Sequence, residues 1–197
     1  MDRIVVFIGP SMVGKTTVAK RLSLLTREKV ISTDSLCLNH TYHIDDPEES
    51  IELFDDLKEY IDANGTKIVD IGANTIEMCG KRELDYLQKV LTINDKKPVF
   101  YLLLPSSDYN KSFDFLSKTS KKIYGTNPDI ISSLSASLLS PVYSMLNPNI
   151  IITLKDYKKT LCSGRNAYTK HLEWTVTDKV FNDLLFDKLN DDIKPTN

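Results

Sequence analysis

The chain of 197 residues is poor in the features that staple, tether or extend a protein. It has three cysteines, Cys37, Cys79 and Cys162, odd in number, widely spaced and without a C-x-x-C pair. That excludes a disulfide scaffold and a thiolate metal cluster, and reduced, mostly structural thiols are expected. No apolar run approaches the ~20 residues that cross a bilayer, and the N-terminus reads as a strand instead of a charged-then-apolar signal sequence. A cytoplasmic location with no membrane partner is expected. Lys and Arg number 25 against 27 Asp and Glu, a net charge of -2, so the basic excess that nucleic acid demands is missing. What the chain does have is apolar substance: 41% of its residues are hydrophobic, enough for a real core, which excludes intrinsic disorder. Its length suits one domain, or one with an appendage.

Strand-length apolar runs alternate with longer segments of helical periodicity, the order of a parallel sheet covered by crossover helices. The class is α/β, with five expected strands at Ile4–Ile8, Val30–Ile31, Ile68–Val69, Val99–Leu103 and Ile150–Ile152. Several are apolar at consecutive positions, as strands buried on both faces are. Asp46-Pro47-Glu48-Glu49 supplies an N-cap and a first-position proline for a helix holding Ile51, Phe54, Leu57 and Ile61. A second helix carries Leu84, Leu87, Val90 and Leu91 on one side. Asn127-Pro128-Asp129 opens a third, which Pro141 ends or kinks. A domain over residues 1–160 is expected. Residues 161–197 then form an extension whose Val176, Val180, Phe181, Leu184, Leu185 and Leu189 predict an amphipathic helix packed on that domain or on another subunit. Either a monomer or a homodimer fits.

The sharpest signal is Gly9-Pro10-Ser11-Met12-Val13-Gly14-Lys15-Thr16, a G-x-x-x-x-G-K-[ST] pattern between the first strand and a helical segment. Gly9 and Gly14 permit a tight turn that aims backbone N–H groups inward, and the following helix offers its positive dipole end. Such a P-loop cradles phosphates, with Thr17 following into the helix. Lys15 is placed for the β- and γ-phosphates of ATP, and the Thr16 hydroxyl for Mg²⁺. No N-K-x-D pattern for guanine is present, and the chain lacks the length and second motif set of motor or AAA-type ATPases, so a small kinase fits best.

Three landmarks in order, the loop, Val30-Ile31-Ser32-Thr33-Asp34 and Ile68-Val69-Asp70-Ile71-Gly72-Ala73-Asn74, make the sequence resemble the shikimate kinases and related small-molecule kinases. Leu139-Ser140-Pro141-Val142-Tyr143 followed by Ile150–Thr153 looks like that family's helix leading into its last strand. The resemblance covers about residues 1–160. It implies a P-loop fold with a five-stranded parallel sheet sandwiched by helices, and transfer of the γ-phosphoryl group of ATP to a hydroxyl of a small molecule. It also implies that Asp34 contacts the acceptor near its reacting hydroxyl, that Gly72, Ala73 and Asn74 line the acceptor site where the family has three glycines, and that Ser32 stands where the family has a carboxylate holding Mg²⁺ through water. Ser140 replaces an arginine. These departures fall on acceptor and metal positions, which leaves the acceptor open.

Charge narrows it. A carboxylate or phosphate acceptor recruits arginine for its bidentate geometry, yet between Glu28 and Gly164 the chain has one, Arg82. Arg82, with Lys81, is a candidate to grip a single acidic group. Lys118, Lys121 and Lys122 are either a lid over ATP or a solvated helix face. Asp34 closes the second strand where α/β sheets bind ligands, so it either orients or deprotonates the acceptor hydroxyl or caps the next helix. Asp70 is either a Walker-B-like carboxylate that takes up the Mg²⁺ role missing at Ser32 or a turn residue bonded to local backbone. Arg165, after the last strand, is placed to stack on adenine, though a plain turn on Gly164 explains it as well. His40 and His43 with Asp45 and Asp46 are too few converging ligands for zinc and read as a loop lining the acceptor pocket. Trp174 is expected to pack against the last helix. The competing reading, favoured by Ser32, is a nucleotide-binding regulatory module or a slow ATPase without kinase chemistry.

Overall fold

The apolar run near the N-terminus forms β1 (Val5–Ile8) and has no polar face because both of its faces are covered. Ile4, Val6 and Ile8 enter one core and Val5 and Phe7 the other, the alternation that a strand imposes. The computed structural model describes residues 3–38, 46–106, 108–146 and 150–153. In it β2 (Val30–Ser32), β3 (Ile68–Asp70), β4 (Val99–Leu104) and β5 (Ile150–Thr153) join β1 in the order β2-β3-β1-β4-β5. Every pairing is parallel. Side chains are described for four of these strands, and β5 is placed by its backbone, with Ile150 opposite Tyr101.

On one face α1 (Lys15–Thr26) packs Val18, Ala19 and Leu22 against Phe7, Ile68, Tyr101 and Leu103. On the other lie α3 (Pro47–Asn64), α5 (Lys81–Val90) and α8 (Val142–Met145). They bury Leu53, Phe54, Leu57 and Ile61, then Leu84, Leu87 and Val90, then Val142 and Tyr143. The start signals operate as chemistry dictates. The Asp46 carboxylate accepts from Glu48 N at 2.9 Å with Pro47 at the first helical position, and Asn127 accepts from Asp129 N at 3.0 Å to open α7 (Pro128–Leu138). Pro141 closes that segment and leads into α8.

The sequence did not delimit α2 (Thr33–Cys37) or α4 (Ala73–Glu77), and it marked α6 (Tyr109–Tyr124) only as a possible helix face carrying Lys118, Lys121 and Lys122. The first two have five residues each, too few to show a helical period. They leave the carboxyl ends of β2 and β3 directly, and the phosphate loop leaves that of β1, so the sheet delivers all three segments to one edge. The expected extension over 161–197, including Arg165, Trp174 and the Val176–Leu189 helix, lies outside the described residues, as do Cys162, His40, His43 and Asp45. Among the described residues no helix is long and apolar enough to cross a membrane.

Candidate active site

The loop between β1 and α1 is shaped by its left-handed positions. Gly9 has φ 137°, and a Cβ there would stand 2.4 Å from the Leu103 carbonyl oxygen of β4, so no other residue fits. Met12 (φ 64°) and Gly14 (φ 98°) complete the curl. Gly14 caps α1 without a side-chain bond, so the first-turn amides are left for an anion. The Val13 side chain is wholly buried in the core beside α1, whereas Ser11, Met12 and Thr17 are half-buried. Lys15 is buried, and its Nζ donates to the carbonyls of Gly9 at 2.8 Å and Pro10 at 3.1 Å. Burial pushes its pKa below the usual lysine value, opposed in order by the charges of Asp70, Asp34 and Glu77. The loop thus folds around its own ammonium.

Across from it stands Asp70, the last residue of β3 and 1% exposed. Its Oδ2 accepts from Thr16 Oγ1 at 2.5 Å, while its Oδ1 is buried with no partner. Burial raises its pKa above the usual carboxylate value; the Thr16 bond and Lys15 oppose this, the Asp34 charge adds to it, and the adjacent Ser32 hydroxyl lowers it. Ser32 is its register partner on β2. Asp70 is therefore no turn carboxylate bonded to local backbone. A buried carboxylate with one orphaned oxygen, flanked by two hydroxyls at a phosphate loop, is an oxygen donor set that fits Mg²⁺.

The third segment is latched to the second by hydroxyls. Thr33, wholly buried, accepts from Gly72 N at 2.9 Å and meets Thr75 Oγ1 at 3.1 Å, tying α2 to the turn that opens α4. Asp34 sits in the first turn of α2, exposed; the N-cap position belongs to Ser32, which makes no side-chain cap bond. The helix-cap reading of Asp34 therefore does not hold. Its carboxylate lies on Gly72, where a Cβ would come within 2.1 Å of Oδ1. Ala73 is buried and Asn74 exposed. Lys15, Thr16, Ser32, Asp34, Asp70 and Gly72 are thus brought together. Arg82 is not: it lies exposed on α5 in an ion pair with Glu48 at 3.0 Å. Lys81, Lys118 and Lys121 are exposed helix residues.

Sequence reasoning passed over Glu77, at the end of α4. Its Oε1 accepts from both Ser137 Oγ of α7 and Tyr143 OH of α8, and the buried phenol's pKa is pushed upward by burial and then by the Glu77 charge. The signal for it was the Pro141-Val142-Tyr143 segment, whose tyrosine needs a polar partner once buried.

No protein-family model matches the chain, and none of the curated proteins matches it in sequence. Its fold is similar to that of shikimate kinase from Acinetobacter baumannii in complex with shikimate, at 12% identity over 95% of this chain and 95% of that one, with a TM-score of 0.55. It is similar also to YorR protein from Bacillus subtilis in complex with phosphorylated GDP (16% identity, 98% and 99% covered, TM-score 0.57). A gluconokinase from Sinorhizobium meliloti 1021 matches at 12% identity (94% and 97% covered, TM-score 0.50). Identities this low speak to architecture. The chain has the shikimate kinase-like P-loop fold.

Proposed function

We propose that the protein transfers the γ-phosphoryl group of ATP to a hydroxyl of a small molecule. The observation that carries this reading is the exposed Asp34 carboxylate, seated on Gly72 across the site from the buried Lys15 of the phosphate loop. A module that only holds nucleotide has no use for such a group, whereas transfer needs an acceptor hydroxyl oriented against the γ-phosphate. The free first-turn amides of α1 bind the phosphate oxygens, and the Lys15 ammonium exchanges loop carbonyls for the β- and γ-phosphates. Thr16 and Asp70, with Ser32 beside them, would hold Mg²⁺, which would neutralise charge on the phosphates. Asp34 takes the acceptor's hydroxyl proton as the new oxygen–phosphorus bond forms and the bond to the ADP oxygen breaks. The solved relatives named above, with shikimate in one and phosphorylated GDP in another, support a nucleotide and a small acceptor sharing this architecture.

The test is calorimetric titration with ATP·Mg²⁺, followed by ADP-release assays over a hydroxyl-compound panel with Asp34→Asn as control. Turnover abolished by Asp34→Asn is the expected result. Nucleotide binding with no acceptor-stimulated turnover, and residual hydrolysis indifferent to Asp34→Asn, would leave a regulatory module or slow ATPase.

A further inference from the structure

Glu77 is fixed in place by its surroundings. Its Oε1 takes hydroxyl donors from two separate helices, Ser137 of α7 and Tyr143 of α8, and among the described residues no donor reaches Oε2. Ser137 and Tyr143 are each 5% exposed, so the two hydroxyls form a fixed cradle. Four residues of α4 separate Glu77 from Ala73, a rise of about 6 Å at 1.5 Å per residue. Glu77 thus stands about one helical turn along the helix capped by Gly72, the residue on which Asp34 rests. Glu77 also belongs to the set of charges that act on Lys15, together with Asp70 and Asp34. Three carboxylates, Asp70, Asp34 and Glu77, therefore act on the lysine of the phosphate loop. Asp70 is turned to the phosphate loop by Thr16, so Asp34 and Glu77 are the two of the three not bonded to that loop. Ser140, two residues past the α7 boundary, bonds its amide to the Ser137 carbonyl and brings no charge. Arg82 is held in the ion pair with Glu48.

From this juxtaposition we propose that Glu77, cradled by Ser137 and Tyr143, is a specificity-determining residue that selects a non-anionic acceptor rich in hydroxyl donors and rejects acceptors bearing a carboxylate or phosphate. The proposal rests on the reading of the site as a phosphotransferase and names its substrate class. Two carboxylates beside a bound anion repel it, and such built-in repulsion is one of the two routes to selectivity, alongside attractive contacts to the preferred ligand. A neutral polyol instead meets acceptors for its hydroxyls: Oε2 of Glu77 on one side and Asp34 on the other. The hydroxyl cradle gives the discrimination its rigidity. Tyr143 stays protonated across the physiological range, so it can only donate to Glu77, and Glu77 cannot swing away without leaving two buried hydroxyls unpaired.

The experiment compares wild type with Glu77→Gln, which still accepts both hydroxyl bonds at one oxygen and so preserves the fold. Acceptors alone at millimolar concentration (glycerol, xylitol, glucose and glucosamine against shikimate, gluconate and glucose 6-phosphate) are scored by thermal shift and calorimetry without nucleotide. ADP release is then measured with ATP·Mg²⁺. Wild type is expected to bind and phosphorylate members of the first group and none of the second. Stimulation by glucosamine beyond glucose would assign a cationic acceptor, and equal response a neutral one. In Glu77→Gln the KM for the preferred acceptor rises about tenfold or more with kcat little changed, and the margin over anionic compounds narrows. Asp34→Asn instead lowers kcat. A wild type that takes shikimate or gluconate as readily as polyols, a panel in which no polyol or amino sugar binds, or a Glu77→Gln profile identical to wild type overturns the proposal. The nucleotide-free arm keeps it separate from the underlying reading: selective polyol binding lost in Glu77→Gln, with no turnover, sustains the role of Glu77 and sinks the kinase reading.

Discussion

The Asp34 carboxylate occupies the space that a side chain on residue 72 would need: a Cβ at Gly72 would stand 2.1 Å from Asp34 Oδ1 and 3.1 Å from its Cγ. The backbone there is ordinary, φ -58° and ψ 141°, so alanine meets no conformational penalty and the glycine is required by its neighbours, chiefly Asp34, with Thr75 Oγ1 at 3.3 Å. Gly72→Ala is expected to push the exposed end of Asp34 aside. Stability should change by less than about 1 kcal/mol, since a surface carboxylate can move, while acceptor turnover falls by about 100-fold through misplacement. In Asp34→Asn the same substitution should cost little further activity, because both changes disable one group. Melting curves and ADP-release rates of the two single variants and the double variant decide it.

Asp70 carries a structural penalty that its function explains. Its pKa is raised, chiefly by burial, so the folded state favours the protonated form that the unfolded chain gives up near 3.8. Stability from this group is therefore fullest below 3.8 and is lost as pH rises through the folded-state value. Asp70→Asn removes that loss and keeps an acceptor for Thr16. The apo variant is expected to melt higher than wild type at pH 7, with the gap closing as pH approaches 4. Its Mg²⁺-dependent activity should fall by about 100-fold or more. Thermal melts across pH with and without Mg²⁺, beside activity, check both halves; an apo variant less stable than wild type at neutral pH contradicts the assignment.

How much of this could be read from the chain alone follows from which signals are local. Gly9 to Thr16 was legible because the loop's chemistry is written at fixed spacing, and Leu84, Leu87 and Val90 because a helix on a sheet repeats its apolar face. Asp46 and Asn127 announced their helices by cap chemistry. The Thr33–Thr75 latch and the Glu77 cradle were not legible, since their partners lie 42, 60 and 66 residues apart and hydroxyls carry no periodicity. Arg82 was singled out for a related reason. A lone arginine invites a ligand in a one-dimensional reading, and only the packing of α3 on α5 shows Glu48 beside it.

Lys15 is the one member of the loop whose side chain the phosphates would take over. Lys15→Ala deletes two bonds to loop carbonyls but also removes a buried ammonium, so the folded protein should change by no more than about 1 kcal/mol. Nucleotide behaviour should change far more. The preference for ATP over ADP is expected to shrink about tenfold, and turnover to fall about 1,000-fold or beyond. Calorimetry with both nucleotides, run beside melting curves, separates this outcome from a folding defect, which would lower affinity for both equally and reduce the melting temperature.

Cys79 reports on the latch from behind. The thiol is buried, donates to the Thr75 carbonyl at 3.2 Å, and has its pKa pushed up from 9.0 to about 11, first by burial, with the Glu83 charge adding to it and a Ser50 bond opposing. The folded state therefore holds its proton over a range in which the unfolded chain releases it. Its stabilising contribution is complete below pH 9.0 and disappears as pH rises to about 11, a loss on the order of 3 kcal/mol at 1.36 kcal/mol per unit. Denaturant titrations at intervals from pH 8 to 11 should show stability falling across that window. In Cys79→Ala, which starts about 1 kcal/mol lower for its lost packing, this component of the slope should vanish. Because Thr75 also meets Thr33, and Thr33 holds Gly72, loosening this corner reaches the seat of Asp34. The alkaline decline in acceptor turnover is therefore expected to begin in wild type within the same window and to track the stability loss. A slope unchanged by Cys79→Ala would assign the alkaline transition to other groups.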